Sequence, residues 1–209
     1  MIKITRPKKT IQLQTIHPID SPTMNSTHGK CSLYLHPEKS AFNVADISTL
    51  INALQEIGLL SKKINQHAAI HHYFTGDKYL DYIAYMGCAP AIKFEASDKS
   101  ENFCFITIHQ HQTAKLIHSQ KQSRAPHCPN CQKLVKNWQD TKTASTINCG
   151  QCDISSDIEN FNWRKMAGYA QLFIEITDIF PKEAIPQQLL LDKLINITDV
   201  KWQYFYSCQ

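Results

Sequence analysis

The hydrophobic positions of this chain follow two periods, which predict both strands and helices. The segment from Cys31 to His36 alternates between apolar and polar residues as a half-buried strand does. From Ile47 to Ile57, apolar residues follow the i, i+3, i+4, i+7 spacing of an amphipathic helix, and Asn43 or Asp46 can cap its start. The pattern therefore predicts a strand and a helix that face a common core.

The middle of the chain predicts shorter elements. Residues 61 to 76 are interpreted as a linker or short helix, and Thr75 to Asp77 as the cap of a further helix. Residues 92 to 95 and 103 to 111 predict the two strands of an antiparallel hairpin, and residues 112 to 127 a polar, basic connector. The apolar stripe of the helix after the cap would consist of Tyr79, Leu80, Ile83 and Met86.

The most apolar segment, residues 163 to 179, predicts a central helix. At 100° per residue, its polar side chains and one glycine fall on a narrow stripe, and apolar side chains cover the rest of the surface. A short helix from near Pro186 to Leu194 and an aromatic strand from Lys201 to Ser207 follow it. The stripe consists of Arg164, Gly168, Gln171, Glu175 and Asp178.

Two Cys-x-x-Cys pairs, separated by seventeen residues, have the ligand spacing of a four-thiolate metal site. Pro129 and Gly150 suit the turns between the cysteines, because proline presets φ and glycine accepts a positive φ. Four thiolates complete a tetrahedron, so we expect one structural Zn²⁺ ion, although a single iron ion is also compatible with this ligand set. The predicted ligands are Cys128, Cys131, Cys149 and Cys152.

The segment from His127 to Asp153 resembles a rubredoxin-type zinc ribbon. Ribbons of this type occur in transcription factors, ribosomal proteins, nucleic-acid enzymes and many bacterial proteins of unassigned activity. The resemblance implies the four-cysteine metal site and leaves the activity open. The stretches from Gly76 to Asp81 and from Asn162 to Gly168 are similar to segments of bacterial proteins without an assigned activity.

The order of elements predicts an α+β fold, with a mixed or antiparallel sheet, packed helices and an inserted four-cysteine zinc ribbon. We expect a basic, largely irregular arm at residues 1–30, because it contains three prolines and no helical period. The first part of the α+β core would span residues 31–120, the ribbon residues 121–155 and the second part of the core residues 156–209.

Composition narrows the class of protein. The chain has 209 residues, 43% of them hydrophobic, and no apolar run long enough for a membrane span or a secretory signal. Eight cysteines in a chain of this size favour bound metal in a reducing cytoplasm over a disulfide scaffold. The four outside the paired motif are interpreted as single thiols: Cys31, Cys88, Cys104 and Cys208.

Charge is uneven along the chain, and this suggests an anionic partner. Residues 112 to 145 carry six basic side chains and one acidic side chain, within a net charge of +4. Lysines and an arginine near the ribbon could contact phosphates, and Trp138 could stack on a base. A solvated hairpin explains the same charges equally well. The candidate contacts are Lys121, Arg124, Lys133, Lys136, Trp138 and Lys142.

Other candidate chemistry is weaker. His67 and His71 could share a helix face, and His109 and His111 a strand face, but no metal-binding motif joins these pairs or includes His72. No nucleophile elbow or Walker loop occurs, so no catalytic residues are predicted.

We therefore expect a non-catalytic, zinc-binding adaptor that contacts protein or nucleic acid through its ribbon, with no membrane contact and an oligomeric state that the sequence leaves open. The alternative is an enzyme or small-ligand-binding protein with its pocket in the α+β body and a purely structural ribbon. A deep pocket lined by polar side chains from distant segments would favour this alternative. A flat, basic ribbon face would favour the adaptor.

Overall fold

The structure, a computed structural model, describes residues 31–64, 71–86, 92–95, 103–120, 124–136, 138–141, 145–180 and 183–208. The arm expected at residues 1–30 lies outside the described residues. The helices are α1 (Ile47–Glu56), α2 (Tyr79–Tyr82) and α3 (Gln188–Thr198). The strands are β1 (Cys31–Pro37), β2 (Leu60–Lys63), β3 (His71–Thr75), β4 (Ile83–Tyr85), β5 (Phe105–His118), β6 (Thr146–Asn148), β7 (Ser155–Asp157), β8 (Ala167–Ile179), β9 (Ala184–Pro186) and β10 (Trp202–Cys208).

A six-stranded sheet organises the body of the protein, in the order β10-β1-β8-β5-β3-β2. Every pair of neighbours in it is antiparallel. In one part of the sheet, strands that follow the ribbon in sequence (β10 and β8) alternate with strands that precede it (β1 and β5), and β8 lies between β1 and β5. The fold is therefore broadly α+β, as predicted. Of the two sheet types that the sequence allowed, mixed or antiparallel, the described sheet is antiparallel.

The helices cover one face of this sheet. Leu50 and Leu54 of α1 and Leu190 and Leu194 of α3 are buried against the inward side chains of the central strands. Asp46 caps α1 by accepting a hydrogen bond from the Ser48 N–H, one of the two caps that the sequence indicates. No helix among the described residues is long and apolar enough to cross a membrane. The inward side chains of the sheet are Leu33, Leu35, Ile106, Ile108, Leu172, Ile174 and Ile176.

The prediction of a helix at residues 163 to 179 is wrong, because this segment contains the central strand β8. A strand buried on both faces is apolar at almost every position, so its pattern resembles that of a buried helix. Pairing with β5 on one side and β1 on the other stabilises the extended chain. Arg164 and Lys165, both with positive φ, form a two-residue turn before the strand, closed by the Met166 N–H to the Trp163 carbonyl. The predicted polar stripe therefore does not exist as one face.

Four other local predictions also fail. Residues 92–95 are not the first strand of a hairpin, because β5 pairs with β3 and β8. The helix expected at Tyr79 to Met86 is a single turn followed by β4, and Leu80 and Met86 are exposed. The described residues from 61 to 76 include the end of β2 and all of β3, where we expected a linker or a short helix. The connector expected from residue 112 begins inside β5, which continues to His118. In each case, pairing with a distant strand determines the structure.

Two of the presumed single thiols form a disulfide between the first and last strands of the body. Cys31 and Cys208 lie opposite each other in the β1–β10 ladder and are covalently bonded. Their separation of 177 residues hides this relationship from any local pattern. Cys104 is a buried free thiol, as expected, and Cys88 lies outside the described residues.

Gly76 packs against the backbone that leaves α1, and this contact predicts a strong effect of a single methyl group. A β-carbon at Gly76 would lie 2.1 Å from the Gly58 carbonyl oxygen, whereas one at Gly150 would have no atom within 4 Å. We expect Gly76→Ala to lower the free energy of unfolding by about 1–3 kcal/mol through overpacking. Gly150→Ala, the matched control, should change it by less than about 0.5 kcal/mol. Urea denaturation of both variants tests this, and equal midpoints would contradict it.

Candidate metal centre and adjoining cleft

The fold brings the four predicted ligand cysteines together. Their sulfur atoms all lie within 4.8 Å of one another. The Sγ–Sγ distance is 3.9 Å between Cys128 and Cys152, and 3.7 Å between Cys131 and Cys149. Four sulfurs bonded at about 2.3 Å to one tetrahedral ion would stand about 3.8 Å apart. The spacing therefore fits a single metal ion with four thiolate ligands.

The two Cys-x-x-Cys turns have the same backbone structure, which places their sulfurs symmetrically. The Cys128 N–H donates to the Lys133 carbonyl at 2.9 Å, and the Cys149 N–H donates to the Ile154 carbonyl at 3.0 Å. Each turn therefore closes five residues after its first cysteine. A repeated local geometry of this kind forms two equal halves of one metal site.

The positive φ angles of these turns fall where the sequence does not suggest them. Gln132 (60°) and Asp153 (57°), each directly after the second cysteine of its pair, adopt the left-handed conformation. Gly150, which we expected to supply a positive φ, does not have one. Left-handed backbone costs a non-glycine residue on the order of 1 kcal/mol. The closed turn maintains this conformation at two residues that are not glycine.

Backbone amides prepare the sulfurs for an ion. The N–H of Ile154 is the main cause that lowers the pKa of the Cys152 thiol to about 7. The N–H of Lys133 lowers the pKa of Cys131 in the same way, but burial and the neighbouring sulfurs outweigh it and raise that pKa to about 11. Four thiolates this close repel one another, so a cation is required to ionise them all. Ionisation of all four sulfurs would therefore accompany metal binding.

The metal turns belong to a ribbon that has its own core. β6 pairs with β7, and His127 pairs with Leu134 and Asn162 through isolated bridges, so the pairing around the cysteines continues to Asn162. This ribbon core rests on the far end of the sheet, where Leu116 of β5 and Tyr169 of β8 pack against it. The ribbon is thus packed on the body of the protein. Its buried residues include Val135, Trp138, Ile147, Ile158, Phe161 and Trp163.

Of the residues proposed for nucleic-acid contact, the structure buries Trp138 and exposes Arg124, Lys133 and Lys136. Trp138 is only 3% exposed, with its ring against Trp163, so stacking on a base is excluded in this conformation. Arg124, Lys133 and Lys136 are exposed, while Lys121 and Lys142 lie outside the described residues. From residue 124 to residue 162, the sequence contains four basic and four acidic side chains. The folded ribbon is therefore balanced in charge, because β7 and the following turn add carboxylates.

Three of the histidines and a buried glutamate meet on the sheet face opposite the helices. His109 Nε2 lies 2.7 Å from Glu175 Oε2, and the Tyr34 hydroxyl donates to Glu175 Oε1 at 2.7 Å. His72 Nδ1 lies 2.7 Å from the Thr107 hydroxyl on the adjacent strand, and the His111 ring is nearly parallel to that of His109. We call this set the histidine face: Tyr34, His72, Thr107, His109, His111 and Glu175.

The histidine face places His72 beside the predicted pair His109 and His111. His71 points to the opposite face of β3, because it pairs with Ile108 whereas His72 pairs with Thr107. His67 lies outside the described residues. The helical prediction puts Glu175 on a polar stripe and so does not bring it to the histidines. The alternation of Phe173, Glu175 and Thr177 in a strand is the signal that identifies its face.

A cleft of about 650 Å³ lies at the junction between the ribbon and the sheet, and we call it the junction cleft. Three separate segments of the chain form its walls: residues 36–38 at the end of β1, the continuous stretch from the end of the ribbon into β8 (residues 159–169), and residues 203 and 204 of β10. Ligand sites commonly have volumes of roughly 300–1,000 Å³. Its lining residues include His36, Glu38, Glu159, Asn162, Arg164, Lys165, Tyr169, Gln203 and Tyr204.

His36 is the most buried polar residue of the junction cleft. Its Nδ1–H donates to the Pro37 carbonyl at 2.8 Å, so Nε2 carries the lone pair. Burial lowers the pKa of His36 to about 4, and the ring is neutral at pH 7. A β-carbon at Gly168 would lie 2.8 Å from Nε2 and 2.4 Å from the Phe205 ring. Glycine at this position therefore leaves room for the His36 ring, which a larger residue would displace.

The cleft contains both signs of charge. Lys165 Nζ donates to the Tyr204 hydroxyl at 2.6 Å, and an Arg164 guanidinium nitrogen donates to the Ala125 carbonyl at 2.6 Å. Glu38 and Glu159 contribute carboxylates to the same lining.

The chain matches no protein-family profile, no curated protein and no solved structure.

Proposed function

We propose that this protein binds a small polar molecule in the junction cleft and that a structural Zn²⁺ ion maintains the ribbon wall of that cleft. The proposal follows the pocket alternative of the sequence analysis, in its non-catalytic form. The observation that carries it is the cleft itself, which polar side chains from three distant segments line.

Zinc is the proposed metal because the site is closed. Four thiolates fill a tetrahedron and leave no open position, which is typical of structural zinc rather than catalytic zinc. The sulfur spacing and the amide hydrogen bonds support a tetrahedral thiolate-bound ion. An elemental analysis of the purified protein distinguishes zinc from iron.

The balance of charge in the cleft supports a ligand with both an anionic and a cationic or donor group. Arg164 and Lys165 can contact the first, and Glu38 and Glu159 the second. His36 Nε2 offers an acceptor that stays neutral at pH 7. Amino acids, short peptides and related zwitterions have this combination of groups.

A matched pair of tryptophan substitutions tests the cleft. Gln203 lines the cleft and Gln112 lies on β5 outside that lining, and both side chains are exposed. We would screen the zinc-loaded protein against the amino acids and a set of dipeptides by ligand-observed NMR. A compound that binds the wild type and Gln112→Trp, but binds Gln203→Trp at least tenfold more weakly, is the expected result. If no compound loses affinity in Gln203→Trp relative to Gln112→Trp, the proposed site is wrong.

Contact between the ribbon and a macromolecule is the second candidate function. Leu134 and Ile154, which follow the two metal turns, are 42% and 44% exposed, and Arg124, Lys133 and Lys136 are exposed on the same ribbon. Apolar side chains surrounded by cations can contact a protein or a nucleic acid. A mobility shift with mixed RNA and DNA at low salt tests the nucleic-acid form. The absence of a shift at the lowest salt concentration would reject that form.

A further inference from the structure

The histidine face contains two neighbouring imidazoles, those of His109 and His111, whose rings are nearly parallel. His109 and His111 are two residues apart on β5, with ring centroids 6.3 Å apart and planes 11° apart. Side chains at i and i+2 of a strand share one face, and the His111 ring contacts Phe173 of β8, the ladder partner of His109. Two imidazoles placed in this way can turn toward one ion.

The hydrogen bonds of His109 leave one ring nitrogen available. Nε2 is held by Glu175, so Nδ1 is the nitrogen that remains for a ligand bond. Metal-binding histidines almost always donate their other ring N–H to a carboxylate, a backbone carbonyl or water, which sets the tautomer and raises the basicity of the ligand. The His109–Glu175 pair has this arrangement.

Glu175 is itself held in position by the sheet. Its two carboxylate oxygens lie 2.7 Å from His109 Nε2 and from the Tyr34 hydroxyl, and its side chain is 14% exposed. A half-buried carboxylate next to an imidazole favours a cation on the other side of that ring.

His111 is suited to be the second ligand. Its ring makes a T-shaped contact with Phe173, with centroids 6.1 Å apart, which limits the rotation of the ring. Lys115 is a nearby cation that opposes metal binding, and the charge of Glu175 offsets it.

We propose that His109 and His111 form a second, exchangeable site for a divalent transition metal ion that prefers imidazole, with Glu175 positioning His109. Imidazole suits zinc, copper and nickel among the divalent ions. With two protein ligands, the ion keeps open positions for water or a small anion, unlike the ion at the four cysteines. The inference is independent of the junction cleft and of the identity of the ribbon metal.

Calorimetry with Ni²⁺ tests the proposal on protein without an affinity tag and with its four-cysteine site already loaded with zinc. We expect one additional equivalent of Ni²⁺ in the wild type, with affinity at least tenfold weaker in His109→Gln and in His111→Gln. Glu175→Gln keeps both ligands and should weaken binding roughly 10- to 100-fold. His71→Gln is the matched control, since His71 lies on the opposite face of the sheet, and it should change the affinity less than twofold.

A second measurement uses the wild type alone, so it does not depend on the folding of the variants. Paramagnetic Ni²⁺ added in substoichiometric steps should broaden the imidazole NMR signals of His109 and His111 before those of the other histidines. The proposal is overturned if no second equivalent binds, if neither His109→Gln nor His111→Gln lowers the affinity, or if other imidazole signals broaden first.

Discussion

Cys149→Ser is expected to release the ribbon metal and unfold the ribbon, while the six-stranded sheet remains folded. A structural four-thiolate zinc site contributes on the order of 10–16 kcal/mol of apparent free energy to folding, and the ribbon core is too small to replace that contribution. Among the described residues, the main core between the sheet and the helices contains none from the segment between Ile108 and Leu172, so loss of the ribbon removes none of its members. The effect should therefore be large and confined to the ribbon.

The three tryptophans provide the readout. Trp138 and Trp163 are buried in the ribbon core, whereas Trp202 is in the main core and its Nε1–H donates to the Thr198 hydroxyl at 2.9 Å. In Cys149→Ser, the indole NMR signals of Trp138 and Trp163 should move to solvent-exposed positions and that of Trp202 should not. Elemental analysis should find no ribbon metal.

Gly150→Ala is the control within the same turn, since a β-carbon there meets no other atom. It should retain the metal and all three native indole signals. Retention of a full equivalent of metal in Cys149→Ser would contradict the assigned ligand set. A shift of Trp202 together with the ribbon signals would contradict the separation of the two cores.

Removal of the Cys31–Cys208 disulfide is expected to cause the second largest loss of stability. The bond closes a loop with a sequence separation of 177 residues. In the chain-entropy account, a loop of this length lowers the entropy of the unfolded chain by the equivalent of about 5 kcal/mol. The bond also ties the edge strand β10 to β1 at the ends of both strands.

Three variants separate the bond from the packing of the two sulfurs. Cys31→Ser, Cys208→Ser and the double variant should lose the same free energy of unfolding, because each breaks the same bond. Urea denaturation under oxidising conditions measures these losses. Additive losses in the double variant, or a loss below about 1 kcal/mol in all three, would show that the bond contributes little beyond side-chain packing.

The Cys31–Cys208 disulfide also concerns the redox state of the compartment in which the protein is found. Disulfides are rare in the reducing cytoplasm that the number of cysteines suggested and persist in oxidising environments. The ribbon cysteines differ in this respect, because bound metal would keep them as thiolates. Thiol labelling of protein in its native host, before any exposure to air, would determine whether Cys31 and Cys208 are bonded there.

The interactions that act over a few residues were readable from the sequence. The spacing within each Cys-x-x-Cys pair sets its local turn, and the helical period from Ile47 onward sets the buried face of α1. The aromatic strand at the C-terminus and the helix before it were also correct. In these segments, local geometry and tertiary packing favour the same structure.

Tertiary structure decided the rest, because the partners are distant in sequence. β8 is a strand because β1 and β5 satisfy its backbone on both sides, and its own pattern fits a buried helix equally well. Pairing across 177 residues joins Cys31 to Cys208, and adjacent strands bring Glu175 to His109. The ribbon core likewise buries Trp138, which the sequence offered as a free aromatic ring. Local spacing thus identified the metal ligands, while the sheet register determined which other side chains meet.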